Sequence, residues 1–96
     1  MPNPNTNLIS GNRNVTTAGT QVTLVTASIP CREVVIQAKA TNTDYIYVGG
    51  SDIAAGDGVQ LDAREGLTLD VDDAFKVWID AGVSGEGVTY IILGGQ

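Results

Sequence analysis

Apolar and polar residues alternate with a period of two along most of this chain. Val34, Ile36, Ala38 and Ala40 interleave with Val35, Gln37 and Lys39, which gives an extended segment one mainly apolar face. Leu67, Leu69 and Val71 enclose Thr68 and Asp70 in the same way. Over 21–27, Val22, Leu24 and Thr26 share one face, with Thr23 and Val25 opposite, and Ser28-Ile29-Pro30 ends the strand. Further strands are predicted over 45–48, 59–61, 76–80 and 88–93. In 76–80, Val77 and Ile79 are the core positions and Trp78 faces outward.

Turn residues separate these runs. Asn42-Thr43-Asp44, Gly49-Gly50, Gly56-Asp57-Gly58, the stretch 62–66 and Asp72-Asp73-Ala74 all read as turns. Gly85-Glu86-Gly87 reads as a hairpin turn. No segment sustains a helical period, and the loops are too short for helical crossovers. The expected fold is all-β: a small antiparallel β-sandwich or jelly-roll-like barrel of about 7–8 short strands. Tyr45-Ile46-Tyr47-Val48-Gly49-Gly50 and Tyr90-Ile91-Ile92-Leu93-Gly94-Gly95 share a pattern, which reads as a shared way of ending a strand.

Residues 1–12 differ in composition, being rich in Asn and Pro around one apolar pair, Leu8-Ile9. Proline excludes a regular helix or a central strand there. This segment is expected to be an extended N-terminal arm anchored by Leu8 and Ile9, with 13–96 forming a single β-sandwich domain.

At 96 residues the chain has room for one domain. Eleven acidic residues against five basic ones give a formal charge of −6. The basic residues, Arg13, Arg32, Lys39, Arg64 and Lys76, are scattered singly. Nucleic acid and anionic membrane are therefore poor partners. No apolar run approaches the ~18 residues of a membrane span, and the start lacks the pattern of a secretory signal. The lone Cys31 fits a small buried residue in a chain made in a reducing cytoplasm.

Histidine is absent, which removes the usual general base, nucleophile activator and metal ligand together. No catalytic residue, cofactor or metal is expected. The acidic run Asp70-Val71-Asp72-Asp73 fails the calcium-loop pattern, with Phe75 at the glycine position and Ala81 at the glutamate position; it reads as an acidic turn. Tyr45, Tyr47 and Trp78 can serve as interface anchors, as sheet-stiffening cross-strand pairs or as a sugar platform.

The run 42–50 resembles small structural proteins of tailed bacteriophages and prophages. So do Gly66-Leu67 through Asp70, Asp72-Asp73, Lys76-Val77-Trp78-Ile79-Asp80 and Gly85-Glu86-Gly87-Val88-Thr89-Tyr90, preceded by Val15-Thr16-Thr17-Ala18-Gly19-Thr20. The likeness covers roughly 14–94 and is carried by turn-and-strand patterns. Within that group the chain is most similar to capsid decoration (cement) proteins. The resemblance implies a homo-oligomer, favouring a trimer, on the outside of the capsid, with the major capsid protein as partner. Leu8, Ile9, Tyr45, Tyr47 and Trp78 are the expected contact residues. A head-fibre base, a tail or baseplate component and a small carbohydrate-binding module are the alternatives.

Overall fold

In the computed structural model, residues 8–53 and 58–94 are described. Eight strands follow one another among these residues: β1 Leu8–Asn14, β2 Val22–Thr23, β3 Cys31–Ala38, β4 Ile46–Gly49, β5 Val59–Leu61, β6 Gly66–Asp70, β7 Trp78–Ala81 and β8 Gly87–Gly94. A single 3-10 turn, Ala74–Lys76, precedes β7. All pairings are antiparallel. They build two four-stranded sheets, β1-β8-β3-β6 and β2-β7-β4-β5.

The strand order has a simple logic. β1 pairs with β8, β2 with β7, β3 with β6 and β4 with β5. This is one long antiparallel ribbon, folded at β4–β5 and then rolled so that β8 meets β3 and β7 meets β4. Such a rolled ribbon is a jelly roll. The expected antiparallel sandwich is formed, and its two sheets are connected as a jelly roll.

The apolar halves of the alternating strands meet between the sheets. Val34, Ile36 and Ala38 of β3, Ile46 and Val48 of β4, Ile79 of β7, and Val88 and Ile92 of β8 are buried in one cluster with Val15, Leu24 and Val77. Each buried aliphatic side chain of this size stabilises the fold by about 1.5–3 kcal/mol. A register shift between Cys31 and Glu33 adds one residue to β3. That bulge turns both Cys31 and Val34 inward across a three-residue step.

Three expectations change. The strand over 21–27 shrinks to Val22–Thr23. Beyond it Leu24 and Val25 are both buried, which a flat pleat does not allow, and the chain bends away after the Leu24 N–H bonds to the Val77 carbonyl. Gly85-Glu86-Gly87 joins no hairpin, since β7 and β8 belong to different sheets. The N-terminal arm gives up its second half: Leu8–Asn12 lies within β1, at an edge of the sheet. The first part of the expected arm, 1–7, lies outside the described residues, as does Gly56-Asp57 of one predicted turn.

The repeated Tyr-Ile motif sits on an interior strand of each sheet, β4 and β8. Its positions are inverted between them. Ile46 points into the core, whereas its counterpart Ile91 points out.

Candidate interaction surface

Two carboxylates fasten the loops that end the sandwich. Glu86 accepts hydrogen bonds from the Thr43 N–H at 2.6 Å, the Thr43 hydroxyl at 2.8 Å and the Asp44 N–H at 3.1 Å. Burial pushes its pKa up, but these bonds outweigh that and hold it below the usual range. Asp73 accepts from the Ser28 hydroxyl, the Ile29 N–H and the Phe75 N–H, capping the 3-10 turn. The Ser28 bond, followed by the backbone bonds, lowers its pKa. Both groups use their oxygens on loop donors. The Asp72–Lys76 ion pair beside Asp73 is exposed and adds little stability.

The outer face of the β2-β7-β4-β5 sheet is covered. Asp80 of β7 and Tyr47 of β4 are cross-strand partners there. Asp80 is completely buried, its Oδ1 accepting from the N–H groups of Gly19 and Ala81 while its Oδ2 has no partner among the described residues. The Gly19 bond lays the segment before β2 across this face. From the other side Ile53 folds over Gly49, and the Gln21 amide bonds to the Ser51 carbonyl. Tyr47, expected on an exposed face, is consequently only 8% exposed. Trp78 does face away from the core, but it is half-buried between Thr23 and Gly49. Tyr45 is exposed just ahead of β4. The three aromatics therefore form no open platform.

The outer face of the β1-β8-β3-β6 sheet is open. Register places Leu8, Ser10 and Asn12 of β1 beside Leu93, Ile91 and Thr89 of β8. Next come Glu33, Val35 and Gln37 of β3, then Asp70, Thr68 and Gly66 of β6. Leu8 is 66% and Ile91 43% exposed, while Leu93 and Val35 are half-buried. A hollow of about 450 Å³ lies here, lined by Ser10, Gly11, Asn12, Val35, Gln37, Thr89, Tyr90 and Ile91. Lys39 borders the face, its Nζ 2.8 Å from Asn14 Oδ1. An apolar centre with a polar rim is the anatomy of a protein-binding patch.

β1 forms one edge of this sheet and β6 the other. Ile9 of β1 lies opposite Ile92, on the core side, yet remains 41% exposed. At the β6 edge the two sheets part around a second hollow of about 310 Å³, lined mainly by Val48, Val59, Leu67, Leu69, Val71 and Val77.

Leu8 thus lies on the open face and Ile9 on the core side of the same edge strand, both in the sheet that does not contain Tyr47 and Trp78. Ile91 and Val35 join Leu8, and the sequence did carry a signal for Ile91. In 88–93, apolar residues occupy both alternating sets, Val88, Tyr90 and Ile92 inward and Ile91 and Leu93 outward, so a second apolar face exists. Cys31 is buried, its Sγ 3.1 Å from the Val71 carbonyl. Burial first, and then the nearby Asp73 charge, raise its pKa, which suits a packed side chain rather than a nucleophile. Among the described residues no helix is long and apolar enough to cross a membrane. No protein-family model, curated protein or solved structure matches this chain.

Proposed function

We propose that this chain is a non-enzymatic structural protein of a tailed-phage virion that binds the outside of the capsid and stabilises it. The observation that carries the reading is the contrast between the two sheet faces. One is covered by its own loops, whereas the other presents Leu8, Ile91, Leu93 and Val35 and needs a partner to leave water. The phage-like turn-and-strand series supplies the identity of that partner, the major capsid protein. Jelly rolls serve in capsids and in lectins alike, so the face and the resemblance support the reading, not the fold. A homo-oligomer, with a trimer favoured, made in the host bacterial cytoplasm and placed on the capsid surface, is part of the same proposal.

The test is the copy number of this chain relative to the major capsid protein in purified virions, by quantitative mass spectrometry. A ratio that follows the capsid lattice is the expected result. A handful of copies per particle would move the chain to a head-fibre base, tail or baseplate. Absence from the particle would overturn the virion reading and put a carbohydrate-binding module first.

A further inference from the structure

We infer that two copies of this chain join edge to edge, the β1 edge of one against the β6 edge of the next, with Ile9 closing the apolar hollow under β6. Three independent features lead there. The first is strand direction. The sheet β1-β8-β3-β6 has an even number of alternating strands, so β1 and β6 run in opposite directions. A second copy added in the same orientation therefore meets β1 with an antiparallel β6, and the ladder continues without a break.

The second feature is shape. Ile9 shares the core-side face with Leu67 and Leu69, because each pairs with a core-side residue, Ile92, Ile36 and Val34 respectively. In a continued sheet Ile9 falls on the side of the neighbour's hollow, where half-buried Leu67 and Leu69 lie with Val59, itself 48% exposed. A protruding apolar side chain at one edge and an apolar hollow at the other make a heterologous contact.

The third is charge. Two chains of charge −6 repel over most of their surfaces. β1 carries Arg13 and no acidic residue, and Lys39 reaches over it to Asn14. β6 ends in Asp70 and follows Glu65. On the β6 side Arg64 adjoins Glu65, and Lys76 at the hollow is paired with Asp72. The β1-to-β6 arrangement still brings Arg13 and Lys39 toward Glu65 and Asp70, whereas a β1-to-β1 contact would bring like charges together. Because the contact is heterologous, it closes into a ring or runs on as a fibre according to the rotation per step. The pairing is a property of the purified chain and is read without any capsid, so its failure and that of the virion reading are separate results.

The experiment is sedimentation velocity on the purified full chain across a wide concentration range, with Ile9→Asp and Val59→Asp. Both sites are exposed enough to keep the fold, checked by circular dichroism, and Ile9→Ser and Val59→Ser replace either variant that unfolds. The parent should associate as concentration rises, and each variant alone should stay a single chain. Mixed together, the variants should form a species of two chains and none larger, since one intact β1 edge meets one intact β6 edge. A parent that stays a single chain throughout would overturn the inference. So would a Val59 variant that associates like the parent, or a mixture that stays entirely single.

Discussion

The side-chain amide of Asn42 holds Gly87 by both of its backbone groups, donating Nδ2–H to the carbonyl at 2.8 Å and accepting from the N–H at 3.3 Å. Gly87 admits no side chain, because a Cβ there would lie 2.0 Å from the Arg13 carbonyl oxygen. The start of β8, the end of β1 and the loop before β4 are thereby locked at one corner. Replacing Asn42 with Ala leaves the buried Gly87 N–H without this partner, while the carbonyl keeps its bond from the Lys39 N–H. The expected loss is about 1–3 kcal/mol, measured by denaturant unfolding. Asn42→Asp keeps the acceptor and should fall between the two. An unchanged midpoint in Asn42→Ala would show that the corner is held by other contacts.

The acid limit of stability follows from Glu86 and Asp73. Both carboxyls have folded-state pKa values below their ordinary values of 4.5 and 3.8. A depressed folded value stabilises the fold fully above the unfolded value, and that contribution disappears as pH falls through the folded one. Unfolding free energy should therefore be flat near neutrality and fall on the acid side of the ordinary carboxylate range. Glu86→Gln should reduce the slope of that acid limb. A slope identical to the parent's would remove Glu86 from the explanation.

Gly11 lies under the ring of Tyr90, its cross-strand partner, and a Cβ at Gly11 would stand 2.8 Å from the ring Cζ. Gly11→Ala should push the ring aside and cost about 1–3 kcal/mol. Adding Tyr90→Leu should recover part of that loss, and a double-mutant cycle measures the coupling. Strict additivity would mean that the ring moves away freely.

Asp80 is buried with one carboxylate oxygen unpartnered among the described residues. An amide keeps the acceptor used by Gly19 and Ala81 and removes a charge that the interior cannot solvate. Asp80→Asn should match or exceed the parent's thermal midpoint, while Asp80→Ala, which orphans the Gly19 N–H, should fall below it. A clear loss in Asp80→Asn would mean that the charge itself is needed.

Cys31 should resist thiol reagents in the folded protein, with labelling about two orders of magnitude slower than in denaturant. Labelling at similar rates in both conditions would show that the 31–33 bulge opens readily.

The strands with a strict two-residue period were legible because periodicity reports burial directly. Val34, Ile36 and Ala38, Leu67 and Leu69, and Val77 with Ile79 all face the core side as the alternation requires. Two kinds of feature were hidden. Gly85-Glu86-Gly87 has the composition of a hairpin, yet its partners are Thr43 and Asp44, more than forty residues away in the chain. Tyr47 alternates correctly with Ile46 and Val48, but its burial is decided by the segments carrying Gly19 and Ile53. Alternation separates two faces of a strand; it is silent about what lies over the second. The open face was half legible, through Leu8 and through the doubly apolar run of β8, because an exposed apolar residue leaves the same mark in a sequence as a buried one.

The nested pairing has a kinetic consequence. β8 is an interior strand, and the whole length of β1 pairs with it, so Leu8 meets Leu93. During synthesis β1 must wait for β8 before it can join its sheet, and β3 can meet only β6 until then, whereas β4 and β5 can meet as soon as both have emerged. Folding should therefore start at the β4–β5 turn, spread outward through successively more distant pairs, and finish only after translation has reached β8. Sheets dominated by such distant pairs fold in about milliseconds to seconds, and β1 and the β8-facing edge of β3 stay unpaired during that wait.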